Sequence, residues 1–132
     1  MNIHAMRLHP HQDLQAELDN WAQEQAVEAA CVLTCVGSLR QATLRFADQP
    51  GGTTLHGKFE IVSLTGTLSR HGSHYHISIA DGHGRCYGGH LLPGCHIYTT
   101  AEIVLASLPQ HRFLRQHDPH TGYDELTIQL TD

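Results

Sequence analysis

The chain has 132 residues, enough for one domain with its own core and too few for a second. With 40% hydrophobic and 16% charged residues it is not a disordered tract, and a formal charge of -5 argues against a free-standing nucleic-acid binder, which displays a basic face. Histidine is the anomaly: 13 residues against 8 Lys+Arg, which makes the net charge sensitive to pH in the imidazole range and raises the question of ligand chemistry.

In chain order, Met1 to Gln12 sets His4, His9 and His11 among apolar residues and lacks the apolar stretch and small-residue cleavage site of a signal peptide. From His11 to Ala30, Leu14, Leu18, Trp21 and Val27 fall at helical intervals after Pro10, which predicts one long amphipathic helix. The apolar run Ala29 to Val36 is far short of the roughly 20 residues of a membrane helix. The expectation is a cytoplasmic protein without membrane contact. Cys31, Cys35, Cys86 and Cys95 form no CxxC pair and read as reduced, mostly core-filling thiols.

From Cys31 onward the period changes. Segments rich in Val, Ile, Thr and Tyr alternate with turn clusters at Asp48 to Gly52, Arg70 to Ser73, Asp81 to Gly84 and Pro119 to Gly122, the pattern of successive antiparallel strands. In Val62 to Ser69, Val62, Leu64 and Leu68 alternate with a ladder of hydroxyls. In His74 to Ala80, Tyr75, Ile77 and Ile79 point one way and His74, His76 and Ser78 the other. Gly94 to Leu108 admits helix and strand readings, of which strand fits better, and Tyr123, Asp124 and Glu125 open a last strand as a polar cap. The fold class is α+β: a mainly antiparallel sheet with one N-terminal helix packed on it.

Two histidines at i and i+2 on a strand share a face roughly 7 Å apart and can converge on one cation at Zn–N distances of about 2.0–2.1 Å. His-x-His alone proves little in so histidine-rich a chain, and His9 and His11 form another. A third ligand depends on the hairpin after Ala80. If Gly82, His83 and Gly84 form a three-residue loop, Ala80 pairs with Cys86 and His76 with His90, placing His74, His76, Cys86 and His90 on one face; a two-residue loop turns His90 to the other. Gly88 and Gly89 mark a bulge or a close approach just before His90, which makes His90 the best third ligand and Cys86 a weaker fourth. Three histidines with an open fourth position are the arrangement of catalytic zinc sites.

The remaining histidines, His83 in its turn included, read as solvated or core-satisfied. Glu60 and Glu102 lie in otherwise apolar segments, where a carboxylate usually pairs with a cation; Glu60 is the one candidate for a general acid or base. No P-loop, GxGxxG, GxSxG or HExxH occurs.

The stretch Gly57-Lys58-Phe59-Glu60-Ile61-Val62-Ser63-Leu64-Thr65-Gly66-Thr67-Leu68, with His74-Tyr75-His76-Ile77-Ser78-Ile79-Ala80-Asp81-Gly82 and Gly88-Gly89-His90-Leu91, resembles the plant-and-prokaryote-conserved domain, called PPC or PCC. The resemblance runs from about Leu14 to Leu130 and implies a single domain assembling as a homotrimer. In plants the domain follows an AT-hook, and its Gly-Arg-Phe-Glu-Ile-Leu stretch contacts other transcription regulators. Here that stretch is Gly57, Lys58, Phe59, Glu60, Ile61 and Val62, with Lys58 and Val62 in place of Arg and Leu. Prokaryotic members are often labelled DNA-binding by analogy, but this chain carries no AT-hook or other basic segment, so the expected partners are further copies of itself and another protein, not nucleic acid. Prokaryotic members are also similar in fold to zinc-dependent acetolactate decarboxylases, whose metal site includes a His-x-His strand pair and a later His. By that resemblance His74, His76 and His90 match as ligands of one zinc ion per subunit. The leading expectation is a trimeric metal-binding regulatory or interaction module; the alternative is a zinc-dependent lyase or hydrolase acting on a small oxo acid or ester.

Overall fold

The computed structural model describes residues 1–132 as one helix and eight strands. In chain order these are β1 (Asn2–Leu8), α1 (Leu14–Glu24), β2 (Ala30–Arg45), β3 (Thr53–Ser69), β4 (Gly72–Ala80), β5 (Cys86–Leu91), β6 (His96–Ser107), β7 (His111–His117) and β8 (Asp124–Leu130). An antiparallel six-stranded sheet runs in the order β1-β6-β2-β3-β4-β5, and β7 and β8 form a separate hairpin. Leu44 also pairs with Leu91 and Arg45 with His90, so β2, β3, β4 and β5 close on themselves at one end. Register shifts in β2, and in β3 between Ile61 and Ser63, supply the bending that closure requires.

The α+β class and the run of antiparallel strands after the helix match the expectation; the helix is shorter than its periodicity suggests, and a strand precedes it. Asp13 caps it, its Oδ2 accepting from the Ala16 amide at 2.9 Å, while Oδ1 accepts from the amides of Gly94 at 2.7 Å and Cys95 at 3.2 Å. One side chain thus starts α1 and ties it to the loop before β6. At the other end Ala26 takes φ 51, a left-handed turn with no glycine or proline to announce it, and Val27 reaches the core from outside the helix. The face built by Leu14, Leu18 and Ala22 is fully buried. β1, absent from the expectation, is an edge strand held by pairing with β6 from Asn2↔Ser107 to Leu8↔Ala101. No helix is long and apolar enough to cross a membrane.

The shift after Ile61 also corrects one face. Ile61 and Leu64 both point inward, which turns Val62 outward at 57% exposure although its strand pattern grouped it with Leu64 and Leu68. Ser69, expected on the hydroxyl ladder, is buried and donates to the Phe113 carbonyl at 2.7 Å, anchoring the β7–β8 hairpin. All four cysteines are free; burial pushes the thiols of Cys35 and Cys95 up to about 11, so both stay protonated core fillers.

Tyr75 links helix to sheet. Its ring is 1% exposed, its hydroxyl donates to Asp19 Oδ1 at 2.9 Å, and burial followed by the Asp19 charge keeps the phenol protonated. Tyr75→Phe keeps the packing and removes a bond to a carboxylate, so urea denaturation is expected to show a loss of about 1–2 kcal/mol.

Candidate metal centre

The β4–β5 hairpin adopts the longer of the two expected registers. Ala80 pairs with Cys86 and His76 with His90. Asp81 fixes the turn: its Oδ1 accepts from the amides of His83 at 2.9 Å and Arg85 at 3.0 Å, and its own amide donates to the Arg85 carbonyl at 2.9 Å. The glycines have distinct roles. A Cβ on Gly89 would stand 2.6 Å from the Arg45 carbonyl oxygen, so the approach of β5 to β2 requires glycine there, and that approach carries His90 to the cluster.

His74, His76 and His90 come together on the sheet face away from α1. One ring nitrogen from each lies within 4.8 Å of the others, and the Nε2 atoms of His74 and His76 are 3.1 Å apart. Two imidazoles on one tetrahedral zinc, at about 2.0–2.1 Å each, hold their nitrogens roughly 3.3 Å apart, so this spacing fits a shared cation. The rings stand at 4.8, 5.1 and 5.8 Å between centroids. The residues present therefore fit a metal ion bound by three neutral nitrogen donors, with room for a further ligand.

The electrostatics favour the same state. Burial lowers the pKa of His74, helped by His76 and then Arg115; burial lowers that of His90, helped by Arg45 and then His74. The neutral, metal-binding form of both rings persists below their ordinary value of 6.5. The stability these rings contribute is complete above that value and erodes as pH falls through the lowered folded values. Dialysis against a pH series, with metal read by elemental analysis, is expected to release bound metal with a midpoint below pH 6.5.

The other sequence candidates lie apart. Cys86 shares the face but is exposed beyond the cluster, its Sγ contacting only the Gly84 carbonyl at 3.8 Å, and His83 sits in the exposed turn. Glu60 pairs across from Ala80, four residues along β4 from His76, or roughly 13 Å at strand rise; it is exposed and not part of the cluster. Neither Glu60 nor Glu102 has the cation partner their setting suggested, because both point outward from the sheet. Several of the remaining histidines have ordinary partners: His4 with Ser107, His11 with Arg40, His71 with Glu28 and His111 with the Pro109 carbonyl.

Sequence reasoning missed Arg45 and Arg115. Arg45, His74 and His90 line two hollows of about 390 and 510 Å³ at the cluster, and Arg115 lines the larger one with Tyr123, Asp124 and Glu125. Arg115 comes from the hairpin at the far end of the chain, and no local spacing connects it to the histidines.

Fold and site together define a small α+β domain carrying an open three-imidazole cluster. The profile of the Plants and Prokaryotes Conserved (PCC) domain matches residues 1–109, and the chain belongs to that family. It is 54% identical over 129 residues to a segment of the bifunctional protein GlmU of Synechococcus sp., covering 98% of this chain and 20% of that one. The chain thus spans about a fifth of the length of such curated relatives. Among solved structures it superposes on a hypothetical protein from Salmonella cholerae-suis with TM-score 0.96 and 40% identity, covering 99% of this chain and 95% of the other. A metal-containing protein from Archaeoglobus fulgidus shares the fold at TM-score 0.81 and 24% identity, covering 96% and 94%.

Proposed function

We propose that this chain is a metal-binding regulatory or interaction module that works as a homotrimer, with one zinc ion per subunit held by His74, His76 and His90 near a subunit boundary. The convergence of three imidazoles carries the reading: three neutral nitrogen donors, no carboxylate in the set, and space for a fourth ligand are the donor chemistry zinc takes. A protein of the same fold described as metal-containing supports it. Elemental analysis of protein purified without a histidine tag tests it, with one zinc per chain expected; substoichiometric metal of every kind overturns it.

The trimer is supported by the uncovered face of the sheet. Leu33 (51% exposed), Val36 (58%), Val62 (57%) and Tyr98 (42%) lie open on β2, β3 and β6, and apolar side chains on an exposed sheet face are suited to burial against further copies. Of the segment Gly57 to Val62, Phe59 and Ile61 are buried, which leaves Gly57, Lys58, Glu60 and Val62 as the surface a protein partner would meet. Native mass spectrometry is expected to show three chains, and Val62→Lys to shift the mass towards monomer. A monomeric parent protein excludes the trimer. Direct DNA binding is not part of the reading, since a net charge of -5 gives little attraction to phosphates.

A second reading, a zinc-dependent enzyme acting on a small oxo acid or ester, is favoured by one feature: the cluster opens on hollows large enough for a small molecule. Zinc there would polarise a carbonyl or lower the pKa of a bound water. Glu60 is too far along the sheet to exchange a proton with a ligand at the cluster, so the acid–base group of such an enzyme would have to be another residue.

A further inference from the structure

We propose that Arg45 and Arg115 form a two-sided clamp for a small oxyanion, a carboxylate or a phosphate, bound beside the open side of the three-histidine cluster. The ligand's inner contact rests on the metal reading above, whereas the clamp is a property of the two arginines.

Each arginine is tied to a different histidine by strand register. Arg45 on β2 stands directly opposite His90 on β5, on the same face of the sheet. Arg115 arrives from β7, and its Nη2 donates to Thr67 Oγ1 at 3.2 Å; Thr67 is in turn the cross-strand partner of His74. Gly72 makes room for that arm: its φ is +144°, and a Cβ there would lie 2.8 Å from Arg115 Cγ. Both arginines line the same hollow of about 510 Å³, together with His74 and His90.

Neither arginine is neutralised within the chain. The protein's ion pairs within 4.0 Å join Arg70, His71 and Arg112 to Glu28, and His117 to Asp124. Glu28 thus collects its cations, while Arg45 and Arg115 keep no carboxylate partner. Asp124 and Glu125 line the same hollow but are exposed, whereas the two arginines are half-buried. A ligand therefore places its negative charge at the arginine end and is repelled by the outer carboxylates. A planar guanidinium offers paired N–H donors that match the oxygens of a carboxylate or phosphate. A hollow of this size is that of a small-molecule site, and charged and polar residues predominate among those that line it.

Calorimetric titration of untagged, zinc-loaded protein tests the clamp, with pyruvate, inorganic phosphate and the uncharged methyl pyruvate as probes and zinc content measured on every sample. Pyruvate or phosphate is expected to bind, the tighter of the two identifying the oxyanion class, and methyl pyruvate not to bind. Arg45→Gln and Arg115→Gln each raise the Kd of the bound anion at least ten-fold while zinc stays at one per chain. Arg115→Lys, which keeps the arm and the charge, loses less than Arg115→Gln and separates a clamp from a hairpin that has come loose. Equal binding by the arginine variants and the parent, or binding of neither anion, overturns the clamp. Should the protein take up no zinc, the metal reading falls by itself, and the same titrations on the metal-free protein decide the clamp by the same criteria.

Discussion

Replacing His76 with Ala is expected to weaken zinc binding at least a hundred-fold, because the substitution removes one of three nitrogen donors. Loss of a mere supporting contact to a metal ligand costs about ten- to a hundred-fold in affinity, and loss of a donor costs more. A hundred-fold is about 2.7 kcal/mol. His76 is exposed and central: its Nε2 is 3.1 Å from that of His74, and its backbone pairs with that of His90. Removing an exposed ring changes the stability of the metal-free fold by no more than about 0.5 kcal/mol, so lost zinc cannot be ascribed to unfolding. His74→Ala and His90→Ala should behave alike, and His83→Ala, in the turn, should keep full affinity. Competition with a chromogenic chelator reads the affinities directly. Equal zinc affinity in His76→Ala and the parent would place the metal elsewhere among the histidines.

Half of the site was legible in the sequence from short-range signals. Alternation in His74 to Ala80 put His74 and His76 on one face, whereas the turn around Asp81 left two registers open, and only Gly88, Gly89 and the family resemblance favoured the one that adds His90 to that face. What stayed illegible depends on contacts distant in sequence. The helix ends at Ala26 in a left-handed conformation that no residue type there signals. β1 exists because β6 offers it an edge, and its own alternation is weak. Val62 faces outward because a single shift after Ile61 reverses the count, and a shift of that kind leaves no mark in a pattern of Val, Ser, Leu and Thr. Arg45 and Arg115 reach the cluster only through the closure of β2 on β5 and the docking of the β7–β8 hairpin, so the charge around the site belongs to the tertiary structure alone.

Gly37→Ala is expected to cost roughly 3 kcal/mol or more. Gly37 sits in β2, between Ile61 of β3 and Ala101 of β6, at the middle of the six-stranded sheet. A Cβ there would lie 2.7 Å from the Ala101 Cα and 3.0 Å from the Thr100 carbonyl carbon, with the Thr100 oxygen closer still. The obstacle is backbone, so no rotamer change relieves it. β6 cannot retreat without breaking its pairing with β2 on one side and β1 on the other. Against this, alanine in a strand recovers only about 0.5–1 kcal/mol of the conformational penalty of glycine. Gly51→Ala and Gly82→Ala, where an added Cβ meets nothing within 4 Å, should stay within about 0.5 kcal/mol of the parent and calibrate the comparison. Thermal unfolding of metal-free protein is the measurement, since bound zinc would add a stabilisation of its own. For a domain of this size the expected loss lowers Tm by about 10 °C. A Tm within about 2 °C of the parent would mean that β2 and β6 are not packed backbone to backbone at Gly37, and the sheet order that carries β2 past the histidine cluster would have to be redrawn.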